Sequence, residues 1–237
     1  MHKLDRATVP PPTCLGNYQH PRHTWGNLTQ DDKDTIVDAL CQMQGNAQLQ
    51  EESDQSYLAV HCAYCEDVLH NRSYKHVEHF RRKNKDYFPQ LTFAWDNLFL
   101  SCQTADHCGH YKDRKNGDPY NPDDLIKPDD DDPDDFLYFH STGEVRSRRG
   151  ISAEAKQKAE ETIRVFNLND RKLRGQRYNV VNNLVQRTLG DNTTPDDLLD
   201  LLNTISSDAR RAFIQETLEA EQWFSFPTTL RHFFTRI

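Results

Sequence analysis

No run of apolar residues in this chain approaches the roughly 18 that a membrane-crossing helix requires, so no membrane span is expected. Apolar material is scarce throughout: hydrophobic residues make up 35% of 237, and the mean hydropathy is −0.90. A chain of this length can bury a core as one or two domains. With so little apolar bulk those cores are small, and a domain with a built-in metal staple suits the composition better than one large barrel. Positive charge is also in deficit, with 29 lysines and arginines against 37 aspartates and glutamates and a formal charge of −8. Phosphate contacts dominate nucleic-acid affinity, so strong autonomous binding is disfavoured. A locally basic groove stays open, because acidic residues are concentrated in 118–135. The opening Met1-His2-Lys3-Leu4-Asp5-Arg6 lacks the apolar stretch of a secretory signal, so a cytoplasmic location is expected. There, six cysteines read as metal ligands or free thiols rather than disulfides. No repeat at solenoid periods occurs.

The chain divides by composition into four parts: an arm and helix over 1–56, a cysteine-rich core over 57–117, an acidic loop and hairpin over 118–150, and a helical region over 151–237. Pro10-Pro11-Pro12 forbids a helix in the arm, which is expected to lie extended and anchored by Trp25. Cys14 and Cys41 read as packing residues. Thr29 with Asp32 three residues on marks a helix start, and Ile36, Val37, Leu40 and Met43 recur at helical spacing before Gly45 stops it. Residues 46–56 read as a polar linker. The stretch 118–135 carries four prolines and a self-repelling aspartate run, so a solvated loop is expected. It lacks the Asp-x-Asp-x-Asp-Gly spacing of a calcium loop. Phe136–Arg146 reads as a hairpin turning at Gly143, with Arg146, Arg148 and Arg149 on a solvated edge. Helices are then expected from Ser152, over 176–189 with Tyr178, Val181, Val185 and Leu189 inward, from Thr194-Pro195 with Leu198, Leu201, Leu202 and Ile205 inward, and over 208–222. The aromatic tail Trp223, Phe224, Phe226, Phe233 and Phe234 is expected to close the helical core.

The chemistry concentrates in 62–112. Cys62-Ala63-Tyr64-Cys65 offers two thiolates from one tight knuckle, at a spacing that lets both reach one tetrahedral ion. Cys102 and Cys108 offer a second pair, with five intervening residues rather than the usual two to four, and His107 or His110 could replace Cys108. A structural zinc site on Cys62, Cys65, Cys102 and Cys108 follows. Between the pairs, residues 74–80 suit a strand that ends on Glu78 and His79. Strand neighbours face opposite sides, so the two serve one site only where the strand ends or bends, at the entrance to loop 81–96. Asn97 then opens the apolar run Leu98-Phe99-Leu100, which would return as the antiparallel strand and lead into Cys102 and a short helix reaching Lys112.

This arrangement resembles the zinc-bearing HNH endonucleases, on Cys-x2-Cys, acidic-His, Asn-x2-Leu-x-Cys and Cys-x3-Lys. Trp25, Cys-Ala-Tyr-Cys-Glu, Val-Glu-His-Phe-Arg and Leu-Ile-Lys-Pro-Asp-Asp-Asp narrow the resemblance to the PtuB family, the HNH subunits of Septu anti-phage systems that also serve some retrons. The resemblance implies an α+β fold with a small ββα-metal core, flanked by the N-terminal arm and helix and a C-terminal helical bundle. It also implies hydrolysis of phosphodiester bonds, with DNA the favoured substrate and tRNA or other RNA open. His79 would be general base, with an imidazole near its ordinary pKa suited to the task. Glu78 would ligate a catalytic magnesium or manganese ion, Asn97 would hold the loop and the His79 ring, and Lys112 would contact phosphate. Family members often use the residue directly after the last cysteine, here Gly109. His110 is the preferred replacement as catalytic residue and metal ligand, and Asp113 the fallback. The implied partners are nucleic acid, a PtuA-type ATPase and, as an open case, a retron reverse transcriptase with its RNA–DNA product. From a different class, a zinc module that only binds would need the four cysteines but neither Glu78 nor His79.

Overall fold

Thr29 caps the first long helix by accepting from the backbone N–H of Asp32 at 3.1 Å, as its hydroxyl spacing predicts. The computed structural model describes residues 1–45, 60–70, 75–221 and 224–236. The expected linker 46–56, Tyr74 and Trp223 lie outside them. Helix α1 runs Gln30–Gln44 and buries Ile36, Leu40, Cys41 and Met43. Ahead of it, the arm holds three short 3-10 segments and is otherwise irregular.

Strands β1 (Lys75–His79) and β2 (Leu98–Cys102) pair antiparallel, with His79 opposite Leu98 and Lys75 opposite Cys102. A two-stranded ribbon is marginal by itself, and α1 fastens this one through Gln44. The Gln44 amide donates to the carbonyls of His61 and Leu100 and accepts from the Leu100 N–H, at 2.9, 2.9 and 2.6 Å. Helix α2 (Cys108–Lys112) follows β2 directly. The order strand, loop, strand, short helix is therefore the one expected from 74–112.

The acidic stretch is not the solvated loop its composition suggests. Leu125 and Ile126 are buried in the main core, and Thr162 accepts from the Ile126 N–H at 2.8 Å. Its aspartates pair with cations brought from elsewhere: Asp129 with Arg6 and Lys127, Asp131 with Lys158, Asp134 with Arg231, and Asp123 with Arg81. The run repels itself less because those cations interleave with it. Strands β3 (Leu137–Phe139) and β4 (Val145–Ser147) form the expected hairpin. Gly143 turns it at φ +80, with its Cα against the Arg174 backbone, so that a Cβ there would meet the Arg174 carbonyl oxygen at 1.9 Å.

Helix α3 (Ala153–Val165) starts at Ser152 as expected. Helix α4 runs Arg171–Leu189, beginning five residues before the expected 176 because the Asp170 carboxylate caps Lys172 and Leu173. Helices α5 (Pro195–Thr204), α6 (Ser207–Glu221) and α7 (Pro227–Phe234) complete the chain. Tyr178 and Leu201, expected inward, are 42% and 43% exposed, and Leu199 takes the inward place beside Leu198 and Leu202. The aromatic tail closes the helical core through Phe233 and Phe234, while Phe224 stays exposed. Among the described residues the fold is α+β, with seven α-helices and two two-stranded sheets. Two apolar clusters form. One joins the arm, α1, the cysteine core, the hairpin and α3, and the other joins the end of α4 to α5 and α7. Helix α4 contributes to both, and among the described residues no helix is long and apolar enough to cross a membrane.

Candidate metal centre and active site

The four cysteines converge. Cys62, Cys65, Cys102 and Cys108 are buried, and their sulfurs all lie within 4.8 Å of one another. Cys62 and Cys108 are 3.8 Å apart, Cys65 and Cys102 3.9 Å. A tetrahedral zinc site with Zn–S of about 2.3 Å has sulfur–sulfur edges of about 3.8 Å, so the set fits that ion. The knuckle geometry supports it. Glu66 turns the chain at φ 68, the Asp67 N–H points at the Cys65 sulfur at 3.5 Å, and the Glu66 N–H returns to the Cys62 carbonyl. Cys108, not His107 or His110, completes the four. His107 instead lies outside them, its Nδ1 3.2 Å from the Cys108 sulfur.

Glu66 is fully buried behind the knuckle. It receives the Met1 ammonium at 3.2 Å, His2 at 3.0 Å and the Thr228 hydroxyl at 2.5 Å. The Phe226 N–H donates to the Glu66 carbonyl and the Val68 N–H to the Ser225 hydroxyl. The last helix thus seals the cysteine site.

His79 ends β1, 2% exposed. Its Nε2 lies 3.0 Å from the Thr92 carbonyl, and a carbonyl only accepts, so Nε2 carries the proton and Nδ1 presents the lone pair. Lys83 Nζ donates to that Nδ1 at 3.3 Å. Burial, then the Lys83 charge, push the imidazole pKa down to about 3. The ring is therefore neutral at physiological pH, well below the ordinary value expected from sequence. Asn97 holds the intervening loop by three bonds: it donates to the Arg81 and Leu91 carbonyls and accepts from the Arg81 N–H. Trp25 anchors the arm here, its ring edge-to-face with His79 at 4.7 Å.

Glu78 is 2% exposed, and burial raises its pKa to about 7 against the pull of Lys112. Lys112 departs from expectation. Instead of reaching outward toward phosphate, its ammonium is buried on Glu78 Oε1 at 2.7 Å, Asp113 at 2.7 Å and the His79 carbonyl at 3.1 Å. Burial opposes that charge, but Glu78 and Asp113 outweigh it and hold the lysine above its ordinary pKa. Asp113, the fallback ligand, is spent on Lys112 and Arg82. Gly109 lies against Glu78, where a Cβ would fall 2.4 Å from Oε2. His110 is exposed and stacks on His76, ring centroids 4.3 Å apart. His76 Nε2 is 3.7 Å from Glu78 Oε2.

His76 and Lys83 were not singled out from sequence. Strand alternation was the available signal for His76, two residues before Glu78. For Lys83, four residues beyond His79 on an irregular loop, no spacing rule applies.

No family model matches the chain. The chain is similar to the Septu protein PtuB of Bacillus mycoides (strain KBAB4). Identity is 28% over 149 residues, which is 52% of this chain and 48% of that protein. The chain therefore spans about half the length of this PtuB. Together with that likeness, the four-cysteine cluster fits a zinc-bearing HNH-type protein.

Proposed function

We propose that this chain is an HNH endonuclease of PtuB type, hydrolysing phosphodiester bonds in DNA or RNA. The observation that carries the reading is the His79 ring, with Nε2 tied to the Thr92 carbonyl and Nδ1 left as the lone pair. In the proposed reaction Nδ1 takes a proton from the attacking water; burial and the Lys83 charge lower the basicity of the imidazole, and displacement of Lys83 by substrate relieves the second of these. Asn97 keeps the loop, and with it Thr92, in the position that fixes the ring. Lys83, on the same nitrogen, is placed to meet the scissile phosphate once substrate displaces it from His79. Glu78 and His110 would hold the catalytic magnesium or manganese ion, which when bound offsets charge on the phosphate and the leaving oxygen. Lys112 serves this site from behind, fixing the Glu78 carboxylate.

The likeness to a Septu protein supports a role in defence. We extend it to a PtuA-type ATPase partner and, in a retron setting, to a reverse transcriptase with its RNA–DNA product. The formal charge of −8 suits a nuclease that depends on a partner for substrate grip.

The test is cleavage of plasmid DNA and of total tRNA with magnesium or manganese, with and without the ATPase, beside His79→Ala. Loss of cleavage in the variant supports the reading, and the substrate cut separates DNA from RNA. Cleavage that survives His79→Ala removes the assigned base. A zinc module that only binds is the second reading. It is favoured by the fact that, among the described residues, only the cysteines bring three or more metal-ligating side chains within 4.8 Å.

A further inference from the structure

We propose that the β3–β4 hairpin and the start of α4 form a surface that grips an unpaired nucleic-acid strand, through free arginines and exposed rings. The proposal deepens the nuclease reading and rests on it for the presence of nucleic acid. Its residues all come from outside the cysteine core.

The hairpin buries one face and offers the other. Leu137, Phe139 and Val145 are buried, so strand alternation turns Tyr138, His140 and Arg146 outward. The Arg148 N–H extends the ladder to the Phe136 carbonyl at 2.7 Å, which places Arg148 on the same side as Arg146. Together with Arg149 these residues line a recess of about 400 Å³. At the turn, His140 Nδ1 accepts from the Thr142 N–H at 3.2 Å, so the ring proton sits on Nε2 as a donor. Thr142 also borders a second recess of about 420 Å³, lined by Arg171, Arg174 and Tyr178 of α4. The hairpin is fixed against that helix. Asn169 accepts from the Val145 N–H and donates to the Val145 carbonyl, both at 2.8 Å, and Gly143 lies on the Arg174 backbone. The two recesses therefore flank one rigid turn.

Unspent charge singles this surface out. Elsewhere arginines answer acids, Arg6 with Asp129, Arg81 with Asp123 and Arg231 with Asp134. Here Glu144 takes Arg146. Among the described residues, no carboxylate lies within 4.0 Å of the Arg148, Arg149, Arg171 or Arg174 guanidinium. All four are exposed, in a chain whose formal charge is −8. Guanidinium forks match phosphate oxygens bidentately. Rings beside such charge give unpaired bases a face to stack on, and Tyr178 is 42% exposed. A duplex keeps its base faces inside, and an acidic peptide has none. The combination of forks and rings favours an unpaired strand over either.

The experiment uses the zinc-loaded full chain without added magnesium or manganese, so that binding is read apart from cleavage. The probe is a fluorescein-labelled 20-nucleotide single strand, as DNA and as RNA, followed by anisotropy. The same sequence as a duplex and a poly-aspartate peptide serve as competitors. The single strand should bind more tightly than either competitor. Arg148→Ala with Arg149→Ala should weaken it ~10-fold or more and lower the salt slope by about 1–2. Tyr178→Ala should weaken it ~5-fold or more, and Tyr178→Phe, which keeps the ring, should bind as the wild type does. Arg211→Ala removes the same charge from α6 and should change affinity less than about twofold. Unchanged zinc content and circular dichroism report an intact fold in each variant. Wild-type affinity in the double variant would overturn the proposal, as would an equal loss in Arg211→Ala or a preference for duplex or poly-aspartate. His79→Ala separates the two readings, since it should bind the strand normally and lose cleavage. If it cleaves normally, the assigned base falls while the strand surface stands on its binding data.

Discussion

The Trp25 indole meets the His79 imidazole edge-to-face, with ring centroids 4.7 Å apart. The same indole stacks beside Phe93 at 6.2 Å, so an arm residue supports the His79 ring from outside the cysteine core. Trp25→Ala should cost about 2–3 kcal/mol, below the range for a fully buried tryptophan because this one is half-buried. Urea unfolding measures the cost, and Trp25→Phe should recover most of it. A full-sized effect on stability with no change in the His79 NMR resonances would remove the link between arm and site.

Gly109→Ala should destabilise through overpacking against the Glu78 carboxylate, by about 1–3 kcal/mol. The comparison is Gly16→Ala, where a Cβ meets nothing within 4 Å. Equal unfolding midpoints for the two variants would mean that Glu78 yields freely.

His79 should make the fold acid-sensitive. Its folded pKa is lowered to about 3, so below about pH 6.5 the unfolded chain binds a proton that the folded chain refuses. Stability therefore falls as pH drops from about 6.5 toward 3. At pH 5 this one group accounts for about 2 kcal/mol. His76, held down to about 4 by burial and by His110, adds in the same direction. Unfolding at pH 7 and pH 5 should show a smaller loss in His79→Gln than in the wild type. An unchanged pH slope would contradict the buried neutral ring.

Removing zinc with a strong chelator, or replacing Cys62 by Ser, should unfold the segment that the four cysteines gather, because binding energy at such a site is folding energy. Loss of the far-UV circular dichroism transition together with the metal is expected. Cys14→Ser, at a sulfur outside the cluster, should leave zinc content unchanged.

Asp129 and Asp130 are neighbours with opposite fates. Asp129 is 2% exposed between Arg6 and Lys127, whereas Asp130 is 69% exposed. Asp129→Ala should cost about 2–3 kcal/mol by removing a buried carboxylate from two half-buried cations, and Asp130→Ala less than about 1. Equal costs would return the whole stretch to the status of a solvated loop.

The contrast within that stretch explains what the sequence could convey. Features set by neighbours in the chain were readable: Thr29 and Ser152 as caps, Gly143 as a turn, Cys62 and Cys65 as one knuckle, and the strand return after Asn97. Those set by residues far apart were not. Nothing near 129 announces Arg6, and a lysine four residues after Cys108 gives no sign of facing inward toward Glu78. The His79 ionisation was misjudged for the same reason, since burial and the Lys83 contact belong to the folded state. Tyr178 and Leu201 fit the helical period yet face out, because the period fixes a stripe on the helix and not how much of that stripe a neighbour covers.

The seal on Glu66 also orders events in time. The Thr228 hydroxyl reaches the Glu66 carboxylate across 162 residues, and the Ser225 hydroxyl reaches the Val68 amide across 157. A ribosome delivers the knuckle and both cysteine pairs long before it delivers the residues that cover them. The nascent chain therefore passes through a stage in which the thiols can already gather an ion while Glu66 still faces water. In that interval the site is open to exchange, and docking of residues 225–228 brings it to an end.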